Sequence, residues 1–120
     1  MRSAAQAYQT IAKQTVSQRD LEADLLLKAA ARLQAVKDDW EGKRAEFHEA
    51  LTYNRKLWTV FLTSATSGES PLPVEVRQNV ANLGVFVMSR TVDLTQKPQP
   101  EGLNALININ RELAAGLRGK

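Results

Sequence analysis

The sequence predicts an all-α fold, a single-domain antiparallel bundle of about five helices over residues 1–120. Three observations carry this expectation. Apolar residues recur at alternating three- and four-residue steps through most of the chain, the spacing that places side chains on one helix face. The 6 glycines and 4 prolines are concentrated between the periodic segments, where such residues punctuate helices. No stretch makes a convincing strand.

The elements follow in order. Residues 3–15 read as a short first helix with Ala4, Ala7, Tyr8, Ile11 and Ala12 near one face. Ser17 suits an N-cap, with Asp20 three residues on, close to the capping-box pattern. A second helix is therefore expected from Ser17 to Lys37, with Leu26, Ala29, Leu33, Val36 and Trp40 on its apolar face and Leu21 and Leu25 widening it. Asp38, Asp39 and Gly42 mark a break, and a third helix covers 43–65. Gly68, Ser70, Pro71 and Pro73 make a loop, and Pro73 suits the first turn of the next helix because its missing N–H does no harm there.

The fourth helix, 73–94, is apolar over most of its circumference. Val76, Val80, Leu83, Gly84, Val87 and Thr91 form one side, extended by Ala81, Val85, Met88 and Val92. A helix this apolar is expected at the centre of a bundle. Its Val85-Phe86-Val87-Met88 run has strand propensity, but the flanking pattern is helical. Pro98 and Pro100 mark a second loop, and the fifth helix covers 101–115. Gly116 is its expected C-cap, with Arg118 and Lys120 complementing the helix dipole.

Composition bounds the function. The net charge of +3 comes from 16 basic and 13 acidic residues scattered along the chain, without the basic stripe usual in nucleic-acid binders. There is no cysteine, so disulfides, iron–sulfur clusters and thiolate zinc sites are excluded. The N-terminus lacks a signal peptide's apolar core, and no segment approaches the ~18 apolar residues of a membrane span. A soluble cytoplasmic protein is expected. His48 is the only histidine, and Asp38-Asp39 and Glu46-Glu49 lie in polar surroundings. No metal ligand set, phosphate loop or nucleophile–base pair is recognisable. The expectation is a non-enzymatic protein without cofactor or metal.

Two Asn-Arg pairs stand out instead. Asn54 falls in line with Phe47, Leu51, Trp58 and Phe61, and Asn110 with Leu103, Leu106, Ile107, Leu113 and Leu117. An unpartnered buried amide costs about 1–3 kcal/mol, so both must be satisfied. Either they bond within the core and set packing register, or they line a groove that captures a partner. Arg55 and Arg111 sit one step off these stripes, their stems able to cover the core edge. Trp58 reads as core. Phe86 aligns with Asn79, Asn82, Arg90 and Asp93 on a polar side, an aromatic either packed under a loop or offered to a partner. The candidate partner-binding set is Asn54, Arg55, Trp58, Phe86, Asn110 and Arg111.

These residues also carry a resemblance. Ala7-Tyr8, Ala50-Leu51 followed by Asn54-Arg55-Lys56-Leu57-Trp58, Leu72-Pro73 opening an apolar helix, Leu106-Ile107-Asn108-Ile109-Asn110-Arg111, and Gly116-Leu117 together resemble the FlaF family of bacterial flagellar proteins. The resemblance spans nearly the whole chain. It implies a cytoplasmic, non-enzymatic accessory protein of flagellum assembly that associates with flagellin, acting in a chaperone-like way in its export and as a regulator of its synthesis. The alternative it leaves open is an RNA-binding regulator of flagellin message; a pI of about 9.4 permits RNA contact, while stacking aromatics on a sheet and an Arg-rich tract are missing. A homodimer or a helical scaffold for other partners also stays open.

Overall fold

The computed structural model describes residues 4–68 and 73–119; of residues 4–17 only Gln6 is described beyond the backbone. The described residues form four α-helices, one short 3₁₀ turn and no strand: α1 (Ala4–Asp38), α2 (Arg44–Thr66), α3 (Val74–Gln96), the turn Pro100–Gly102, and α4 (Leu103–Leu117). The all-α class holds. The expected five helices are four, because the first and second are one helix of 35 residues. No glycine or proline stands between Ser3 and Asp38, and alanine, leucine, glutamine and lysine abound there, so nothing in the chain outweighs helix propensity at Ser17. The expected face of Ala4, Ala7, Tyr8, Ile11 and Ala12, and the Ser17 side chain, lie outside the described residues. At 1.5 Å per residue α1 is about 52 Å long, which accounts for most of the molecule's 59 Å longest dimension.

The break after α1 falls where Asp39 and Gly42 stand. Lys43 N–H donates to the Asp39 carbonyl at 2.8 Å and Gly42 N–H to the Asp39 carboxylate at 3.3 Å. Half-buried Trp40 meets Phe47 edge-on at 5.2 Å, which ties the turn to the core. Pro73 takes the position just before α3, where its carbonyl accepts Arg77 N–H at 3.0 Å. Ser70 and Pro71 of the preceding loop, and Lys120, lie outside the described residues. The C-terminal helix ends later than expected. Arg118, not Gly116, caps it, and Gly119 at φ 76° supplies the left-handed residue that follows.

Each helix buries one row of residues at three- and four-residue steps. The rows are Ala23, Leu26, Ala30, Leu33 and Val36 on α1; Phe47, Leu51, Asn54, Trp58, Phe61 and Ala65 on α2; Val80, Gly84, Val87, Thr91 and Leu94 on α3; and Leu103, Leu106, Asn110, Leu113 and Leu117 on α4. α1 lies along both α2 and α4, and α3 lies along α2, whereas α3 and α4 touch only marginally. Gln34 meets Arg111 while Asp24 meets Arg118, so α1 and α4 run antiparallel.

This arrangement corrects the place expected for the apolar helix. α3 is peripheral, with α2 as its one extensive neighbour, whereas α1 and α2 each have two. α3 approaches α2 closely at Gly84, where an added Cβ would run into the Leu62 side chain. That contact commits a single row of α3 to the core. Of its other apolar residues, Val76, Leu83 and Met88 are only partly buried against the core, and Val74, Val85 and Val92 remain outside, 68%, 69% and 56% exposed. Leu21 of α1, expected to widen the core face, is also exposed. Val85→Thr should therefore change stability by no more than ~0.5 kcal/mol. Val87→Ala, two residues on but fully buried, should cost about 2 kcal/mol. Paired urea titrations distinguish the two sites.

Candidate functional site

Asn54, Trp58 and Asn110 are all 0% exposed. On α2, Asn54 and Trp58 are four residues apart and so share a face; from α4, Asn110 enters between them. Trp58 Nε1–H donates to Asn110 Oδ1 at 2.9 Å. The Asn110 amide nitrogen donates to Asn54 Oδ1 at 2.7 Å and to the Leu26 carbonyl of α1 at 3.3 Å. One side chain of α4 thus holds both other core helices. Sliding α4 by one turn, about 5.4 Å, would break all three bonds in a dry environment where unpaired groups are costly. This geometry favours the register role over groove lining. The three side chains present no surface to a partner in the folded state. Asn54 Nδ2 is buried with no hydrogen-bond partner, so the brace is satisfied through Asn110 and not symmetrically.

The other three candidates lie on the surface, apart from one another. Arg111 is exposed and donates to Gln34 Oε1 at 3.4 Å, linking α4 to α1. Arg55 is exposed and lines a shallow α2–α3 groove beside Thr52, Thr91 and Val92. Phe86 is 42% exposed, with the Arg90 guanidinium 5.3 Å from its ring centre. A half-exposed ring contributes far less than a buried one, so Phe86→Ala should cost under ~1 kcal/mol, against about 3–5 for a core phenylalanine; thermal melts of the purified variant check this.

Sequence reasoning missed a concave feature of the surface. Because α3 and α4 barely touch, a groove of about 630 Å³ opens between them. One wall is Val76, Asn79 and Leu83 of α3, the other Leu113 and Leu117 of α4, with Arg19 of α1 contributing to the lining. Glu75 and Glu112 stand on opposite walls, and both are exposed. Below Leu113 and Leu117, the Glu22 side chain of α1 lies among Phe61, Ala65 and Val80. Burial in these apolar surroundings raises its pKa above the usual 4.5, against smaller opposing effects of Gln18 and Arg19. The signal for the groove was indirect. Helical arithmetic gave α3 more apolar surface than one neighbour covers, but it did not say which neighbour would be missing.

The raised Glu22 pKa has a definite sign. Folding favours the protonated acid, so the contribution to stability is full below pH 4.5 and is lost as pH rises through the raised value. Glu22→Gln should stabilise the protein at pH 7, by a few tenths of a kcal/mol given the screening of a half-exposed group. The gain should vanish near pH 4. Urea midpoints at the two pH values test it.

Among the described residues no three acidic or histidine side chains gather as a metal site, and no helix is long and apolar enough to cross a membrane. What remains is a helical frame with a polar cross-brace and an open apolar groove. No curated protein matches the chain, and no solved structure does. The family model for the flagellar protein FlaF matches residues 4–117, from the first residue of α1 to the last of α4. By that match over nearly its whole length, the chain belongs to the FlaF family of flagellar proteins.

Proposed function

We propose that this flagellar protein is a non-enzymatic cytoplasmic accessory factor that binds flagellin through the α3–α4 groove, serving its export in a chaperone-like way and coupling to control of its synthesis. The single observation that carries the reading is the groove: apolar on both walls, about 630 Å³, and flanked by two helices that do not close on one another. Concave apolar surfaces of this size are the usual setting for ligand and helix recognition. Flagellins in related systems carry long amphipathic terminal helices whose apolar stripes stay uncovered until the subunits polymerise. Covering such a stripe is packing work that a bundle missing one contact is suited to. The buried amides hold the α4 wall against α1 and α2 and do not touch the partner.

Co-expression with flagellin followed by gel filtration tests the proposal. The two proteins should co-elute, and Phe86→Ala, three residues beyond the groove-lining Leu83 and outside the lining itself, should weaken association several-fold with an unchanged melt. Separate elution of the two proteins would remove flagellin as partner. A mobility shift of flagellin message by the protein alone would then favour direct RNA binding.

A further inference from the structure

The charges at the groove say what kind of helix it accepts. Glu75 on the α3 wall and Glu112 on the α4 wall both line the groove, and neither has an ion pair or hydrogen bond among the described residues. Glu22 adds a third carboxylate below the apolar walls. The single cation of the lining, Arg19, stands one helical turn before Glu22 and is electrostatically coupled to it. Each rim therefore carries an unpaired negative charge, although the whole chain is +3. Both walls are helices with their backbone groups bonded internally, so an extended peptide would find no edge to pair with and would leave its own amides unsatisfied. A helix brings its backbone already paired.

We infer that the α3–α4 groove takes an amphipathic helix of a partner protein whose apolar stripe is bordered on both edges by lysine or arginine. The stripe packs on Val76, Leu83, Leu113 and Leu117, while the basic side chains run outward along the walls to Glu75 and Glu112, as long cationic side chains do at apolar borders. The inference rests on the groove being the binding surface, as proposed above, but not on flagellin being the occupant.

Two designed helical peptides of about 18 residues, five turns, with identical leucine stripes test it, one edged with lysine and one with glutamate. Fluorescence anisotropy with the full-length protein should show the lysine-edged peptide binding at least ~10-fold more tightly. That order is opposite to the one a net charge of +3 would impose without a site. The double variant Glu75→Lys/Glu112→Lys should reverse the preference. Should that variant misfold by circular dichroism, Glu75→Gln/Glu112→Gln should abolish the preference instead. Equal binding, a preference of the unmodified protein for the glutamate-edged peptide, binding of neither peptide, or a lysine preference that survives both double variants would overturn the inference. Failure of flagellin to co-elute while the lysine preference stands would remove only the flagellin assignment.

Discussion

Asn110→Leu should destabilise the protein by about 3–5 kcal/mol, the largest effect expected of any near-isosteric substitution in this chain. The substitution leaves three groups without their partner in the core: the Trp58 indole N–H, Asn54 Oδ1 and the second lone pair of the Leu26 carbonyl. Each lost buried partner costs about 1–3 kcal/mol, and the gain from an added apolar side chain offsets only part of that. Asn54→Leu, by contrast, removes one bond but also removes a buried amide nitrogen that has no partner. Its cost should be no more than ~1 kcal/mol, and flagellin binding should be preserved. The sequence treats the two asparagines alike; the structure makes them unequal. Urea unfolding of the two variants measures the difference, and equal costs would mean that the cross-brace does not carry the load assigned to Asn110.

Asn79→Trp should lower flagellin affinity by at least ~10-fold while leaving the thermal melt within a degree or two of the parent. Asn79 is exposed and lines the groove on the α3 wall. An indole there occupies space a partner helix needs, yet it displaces no core side chain. A binding loss of ~10-fold corresponds to about 1.4 kcal/mol, modest against the area a helix would bury, so the expected change is a lower bound. Surface substitutions that break no special interaction usually stay within ~0.5 kcal/mol of neutral, which separates blocked binding from unfolding. Unchanged affinity in isothermal titration would place the partner elsewhere, with the exposed row Val74, Val85 and Val92 on the same helix as the next surface to test.

Much of the frame was legible from periodicity and punctuation. Expected helices at 43–65, 73–94 and 101–115 correspond to Arg44–Thr66, Val74–Gln96 and Leu103–Leu117, because glycine and proline delimit each of them. The error at Ser17 came from weighing a capping residue without a break in the helix-forming residues around it. Asn54 and Asn110 were legible as polar residues in apolar rows, and Trp58 as a neighbour of Asn54 at four-residue spacing. That they meet each other was not, since pairing across 56 residues depends on helix packing. Nor was the Leu26 carbonyl, since a backbone acceptor leaves no mark in the sequence. The position of α3 was misjudged for a similar reason. Apolar circumference states how much surface a helix offers for cover, whereas the number of neighbours depends on the whole arrangement; here α4 sides with α1 and leaves α3 with α2 alone. The groove is the direct result.

At 13.3 kDa the protein suits residue-resolved NMR, and titration of the labelled chain with flagellin tests the central claim most directly. The amide signals of Val76, Asn79, Leu83, Leu113, Gly116 and Leu117 should shift or broaden together, while those around Asn54 and Trp58 stay in place. Perturbations that spare both groove walls and gather at the core amides or along Val85 and Val92 would contradict the account.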